Sequence, residues 1–145
     1  MLHLCCVHKT ALLVCLALAA LIGCSRQKPL SRDELRSKLR LAESSAAEAG
    51  TFINYVRQER ATDLYARGHL EYLSSELARI AKELHNAIPP ADASAQFADG
   101  SRQVDALAAA LTDLRSRFGQ SNELAREQDH IARIRKALQQ AVSSL

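Results

Sequence analysis

The side chains best suited to chemistry in this chain are few. There are four thiols, all within the first 24 residues (Cys5, Cys6, Cys15 and Cys24), and five imidazoles spread from His3 to His130. Glu127-Gln128-Asp129-His130 contains a Glu-x-x-His step, in which a carboxylate and an imidazole share one helix face, as in half of a di-metal bundle site. No other histidine completes it: Ala66 stands three residues before His69, and Lys82 three before His85. His69 and His85 would lie about 24 Å apart along one helix axis, whereas a shared metal needs bonds of about 2 Å. Neither a Gly-x-Ser-x-Gly elbow nor a phosphate-cradling glycine loop is present. The expectation is a protein without a metal, cofactor or catalytic set, and not an enzyme. One group does stand out: Tyr55, Arg57, Arg60, Tyr65, Arg67 and His69, with Tyr72 close behind. Guanidinium and phenol groups gathered in this way can hold a phosphate, a carboxylate or a glycan by charge-assisted bonds and stacking. The plainer alternative is an ordinary bundle end, with cations complementing a helix dipole.

These groups must be positioned by helices. Ser31-Arg32-Asp33-Glu34 reads as a capping box. From there Leu35, Leu39, Ala42, Ala46, Ala49, Ile53 and Val56 recur at alternating steps of four and three, a heptad seam. The pattern weakens over residues 59–63, where Thr62 or Asp63 can cap a second helix. Its seam is Ala66, Leu70, Leu73, Leu77, Ile80, Leu84 and Ala87, and Pro89-Pro90 ends it. A third segment, capped by Asp92 or restarting at Asp99 or Ser101 beyond Gly100, carries Phe97, Val104, Leu107, Leu111, Leu114 and Phe118. Gly119 suits a left-handed helix closure, and Ser121 or Asn122 caps a fourth helix along Leu124, Glu127, Ile131, Ile134, Leu138 and Ala141. Glu127 is the one carboxylate on a seam, for which an Arg on a facing helix is the expected partner. Four similar helices with short connections predict an all-α, antiparallel up-down-up-down four-helix bundle over residues 31–145. The alternative is one unbroken helix from about 32 to 88, about 85 Å long, folded into an extended coiled-coil hairpin.

Composition agrees. Hydrophobic residues make up 48% of the chain but aromatic ones only 4%, with five Gly and three Pro, which excludes loop-rich and all-β classes. A net charge of +3 lacks the dense cationic face of a nucleic-acid binder, so no nucleic-acid partner is expected.

The N-terminal segment is different in kind. His3, His8 and Lys9 precede an uncharged, nearly all-apolar run from Thr10 to Gly23, shorter than the roughly 20 residues needed to span a bilayer. It closes on Leu21-Ile22-Gly23-Cys24, which resembles the lipobox of bacterial lipoprotein precursors. The resemblance implies a signal peptide over residues 1–23, diacylglyceration of the Cys24 thiol, cleavage before it, and acylation of the new amino group. Several acyl chains give stable anchoring where one is marginal. Ordinary cleavage after Ala17-Leu18-Ala19, an uncleaved anchor and a disulfide at Cys24 are the competing readings. The mature chain would keep 18 of the 19 basic side chains against 16 acidic ones, and no thiol beyond Cys24. Residues 24–30 read as a polar tether, and under the resemblance Ser25, standing where an Asp retains such lipoproteins in the inner membrane, implies the outer membrane, facing the periplasm. The expected function is that of a lipid-anchored envelope lipoprotein whose helical domain is a structural or protein-interaction module, with an envelope protein or glycan as partner. The alternative is a periplasmic bundle that binds a small ligand or metal.

Overall fold

The computed structural model describes residues 29–118 and 121–145. The lipobox residues Leu21, Ile22, Gly23 and Cys24, with the leader before them and most of the tether, lie outside this range, as does Gly119. The described chain forms four helices: α1 (Arg32–Arg57), α2 (Asp63–His85), α3 (Ser94–Ser116) and α4 (Ser121–Ser143). None is long and apolar enough to cross a membrane.

Neighbouring helices run antiparallel, as their cross-links show. Between α1 and α2, residue 38 meets 83 and residue 48 meets 69. Between α2 and α3, residue 71 meets 115 and 85 meets 105. Between α1 and α4, residue 57 meets 128 and 43 meets 139. In each pair the numbering rises on one helix as it falls on the other. The closest-packed neighbours are α2 with α3 and α1 with α4, whereas α1 and α2 meet more loosely. The architecture is an up-down-up-down bundle, and the unbroken hairpin is not formed.

The heptad seams account for the core. Leu35, Leu39, Leu70, Leu77, Leu84, Leu107, Leu111 and Ile131 are fully buried, each contributing about 1.5–3 kcal/mol relative to exposure. Small residues on α1, Ala42, Ala46 and Ala49, are buried among them and allow close approach. Gly100 shows how close that approach becomes across the bundle. A Cβ there would lie 2.7 Å from both Leu39 methyls, so Gly is the residue that fits against a fully buried leucine.

The helix ends follow local chemistry. Ser31 Oγ accepts from the Glu34 amide at 3.2 Å, and the Ser31 amide donates to Glu34 Oε2 at 2.7 Å, completing the capping box. Thr62 caps α2 by accepting from the Tyr65 amide at 3.3 Å. The third helix departs from expectation. It starts at Ser94, with Ala93 as its N-cap and no side-chain cap bond, and it runs through Gly100 without restarting. Asp92 instead forms an ion pair with Arg32 at 3.6 Å, tying the α2–α3 connection to the start of α1. Leu30, the last residue of the expected tether, packs against the core, and its amide donates to the Ile88 carbonyl at 2.9 Å.

The α1–α2 reversal is built without glycine. The Arg60 amide donates to the Tyr55 carbonyl at 3.3 Å and the Glu59 amide to the Val56 carbonyl at 2.9 Å, a Schellman pattern. Glu59 takes the left-handed position with φ 55°, a conformation that costs a non-glycine residue about 1–2 kcal/mol. The chain thus turns sharply at residues 58–62, and α2 starts beside the end of α1.

Candidate functional site

That reversal assembles a groove between the last turns of α1 and the first turns of α2. It has a volume of about 480 Å³ and is lined by Glu48, Thr51, Phe52, Tyr55, Tyr65 and His69. Each helix supplies its side chains at steps of four and three: Glu48, Phe52 and Tyr55 from α1, then Tyr65, His69 and Tyr72 from α2. Both stripes stand one residue before a core seam, Ala49-Ile53-Val56 and Ala66-Leu70-Leu73, so they flank the buried face and look out between the two helices.

Phe52 forms the floor and is buried. Its ring lies 4.3 Å from His69 and meets Tyr65 edge-on at 5.9 Å. Tyr65 and His69 stack nearly parallel, 17° apart with centroids at 6.0 Å, and Tyr72 continues the row 6.3 Å beyond His69. His69 Nε2 lies 3.2 Å from Glu48 Oε1, which bridges the two helices. The rim is exposed: Tyr55 at 41%, Tyr65 at 57%, Tyr72 at 59%, and the neighbouring Leu64 at 84%. Four of the six aromatic residues of the chain gather here, and three of them face water. Large rings exposed together are a feature of binding surfaces rather than of solvated helix faces.

The structure divides the residues singled out from sequence. Tyr55, Tyr65 and His69 come together. Arg57 leaves the groove and donates from Nη1 to Gln128 Oε1 on α4 at 2.8 Å. Arg67 turns to the end of α3, donating to the Phe118 carbonyl at 3.1 Å with its guanidinium carbon 5.6 Å from the Phe118 ring centre. Arg60 is exposed in the connection. The guanidinium trio expected to hold an anion is therefore dispersed, and the site is aromatic with one carboxylate. Sequence reading missed Glu48, Thr51 and Phe52. Their signal was the pairing of two offset stripes across a reversal, visible only once the turn at residues 58–62 is known.

The second place of interest is the cleft between α3 and α4, about 520 Å³, walled on α3 by Ala106, Ala109 and Ala110. Glu127 is buried there at 8% exposure, with His130 and Arg133 on the same wall. It pairs with Arg126 at 3.7 Å, its own chain neighbour rather than an Arg of a facing helix. Asp113 on the opposite wall is bonded to Arg117. Among the described residues no three His, Cys, Asp or Glu side chains converge as metal ligands.

No protein-family model, curated protein or solved structure matches the chain.

Proposed function

We propose that the chain is a lipid-anchored envelope lipoprotein, not an enzyme, whose helical bundle serves as a protein-interaction module and engages its partner through the aromatic groove between α1 and α2. The observation that carries the interaction reading is the row of exposed Tyr65 and Tyr72 with half-buried His69 between them, over buried Phe52, on a bundle whose other large side chains mostly point inward. Exposed tyrosines offer wide contact area at little cost in side-chain entropy, which suits them to anchoring a partner. The anchor reading rests on Leu21-Ile22-Gly23-Cys24. The two readings fit one layout. The lipid would be attached through the tether that reaches Leu30, and the groove sits toward the far end of α1, a helix about 39 Å long at 1.5 Å per residue.

Detergent phase separation tests the anchor: the native chain partitions with the detergent phase, and Cys24→Ser moves to the aqueous phase. A Cys24→Ser chain that stays with the membrane sinks that claim. A photo-crosslinking residue at position 65 or 72 tests the groove. It should capture a partner in intact cells, while the same group at Thr112, exposed on α3, captures none. Equal capture at both places removes the groove from the proposal. A second reading, a small-ligand cleft at Glu127, has in its favour that a buried carboxylate is costly unless it is used or well paired.

A further inference from the structure

We infer that the aromatic groove is selective for an organic cation: the ammonium or guanidinium end of a lysine or arginine side chain presented by the partner protein. The inference rests on the reading that this groove is the binding face, and it names the chemistry that face recognises.

Charge complementarity selects this ligand. Aromatic faces are electronegative, and a cation lying within about 6 Å of a ring centre is attracted to them. Tyr55 on α1 and the stacked Tyr65–His69 pair on α2 line the groove from its two helices, with Phe52 between them. The one carboxylate lining the groove is that of Glu48. Glu48 directs Oε1 at His69, half of its side chain is exposed, and its other oxygen is the acceptor for an incoming N–H. Of the nearby cations, Arg57 is bonded to Gln128 and Arg67 to the Phe118 carbonyl and ring, while Arg60 is exposed in the connection and does not line the groove. Thr51, the remaining polar lining group, gives its hydroxyl proton to the Ala47 carbonyl at 3.0 Å. An anion entering the groove would meet a carboxylate and ring faces. A neutral glycan would stack on the rings but would leave Glu48 without a counter-charge.

The chain supplies its own reporter. It has three tyrosines, all on this surface, and no tryptophan, so its intrinsic fluorescence reads the groove alone. The full chain in non-ionic detergent is titrated with acetylated, amidated tripeptides bearing a central lysine or arginine. The controls are the isosteric citrulline peptide, which has lost the charge, and chitotriose as a neutral glycan. The expected result is a saturable tyrosine signal with both cationic peptides, at least tenfold weaker with citrulline and absent with chitotriose. Glu48→Gln, a change at a half-exposed position that leaves the core untouched, should weaken the cationic peptides at least tenfold while helical circular dichroism is unchanged. Equal binding of the citrulline peptide, preference for chitotriose, an unaltered Glu48→Gln titration or a flat response to every probe each overturns the inference. If the titrations are flat while position 65 still captures a partner in cells, the groove remains the binding face and only its cation preference is wrong. If both fail, the groove reading falls with it.

Discussion

The interface between α1 and α2 changes character from one end to the other. Near Leu30 it is aliphatic and closed. Leu35, Leu39 and Leu84 are fully buried there, and Lys38 bonds across to Glu83, which Arg79 also holds. Toward the reversal the same two helices replace aliphatic side chains by rings and leave the three tyrosines among them exposed. The first end is organised like a domain core, the second like half of an interface still lacking its other half. One pair of helices can do both because the two requirements fall on adjacent stripes. The seam positions continue to bury small and aliphatic residues, Ala49, Ile53, Ala66 and Leu70, beneath the rings. The exposed rings stand beside the core without being taken from it.

The sharpest way to break this contrast is to truncate one side chain at each end. Leu84→Ala should cost about 2–5 kcal/mol in chemical denaturation, the range for a buried leucine that leaves a cavity. Tyr65→Ala, more than half exposed, should cost about 1 kcal/mol or less. If Tyr65→Ala proved as damaging as Leu84→Ala, the rings would be core and the contrast would collapse. The glycines come next in size. Gly100→Ala forces a methyl against Leu39 and should destabilise by about 1–3 kcal/mol. Gly68→Ala, on the exposed side of α2 with no atom within 4 Å of the new Cβ, should stabilise by about 0.5–1 kcal/mol. Opposite signs from one substitution in two helices would confirm where the bundle is tight, and a thermal melt of each variant reads them.

Glu59→Gly relieves the left-handed residue at the reversal and should raise stability by about 1 kcal/mol without moving the groove. The smallest effect concerns acid. The bond from Lys38, followed by that from Arg79, holds the Glu83 carboxyl below the usual glutamate range. Because its folded value is depressed, its contribution is present above the unfolded value of about 4.3 and is lost as pH falls through the lower folded value. The pair is partly exposed, so the loss should be under about 1 kcal/mol. Lys38→Met should flatten this part of the stability–pH curve below pH of about 4.3 and leave the aromatic groove unaltered.

How much of this was legible beforehand depended on the range of the interactions. Heptad seams are local, and their positions proved buried on all four helices, with only end residues such as Val56, Ala87 and Phe97 half-covered. The reversal was faint because the left-handed residue is Glu59, where a glycine would have marked it. Asp92 looked like a cap because caps are a local motif, but its partner Arg32 lies 60 residues earlier. The same holds for the arginines of the candidate patch. Nothing near Arg57 or Arg67 in the chain announces Gln128 or Phe118. Glu48 and Phe52 were passed over because, one position off the seam, they read as an ordinary helix flank until α2 is laid beside them.

The bond from the Leu30 amide to the Ile88 carbonyl, with the Arg32–Asp92 pair beside it, also has a mechanical meaning. Tension applied through a tether would arrive at this end of α1. The load would first open one hydrogen bond and one exposed ion pair, then peel α1 from the bundle turn by turn. Glu48, Phe52 and Tyr55 lie in the later turns of that helix and would be the last to feel it. If residues 24–30 are the tether we propose, the clamp at Leu30 would act as a strain relief, leaving the aromatic end of the bundle in its resting geometry while the Leu30 end takes the pull.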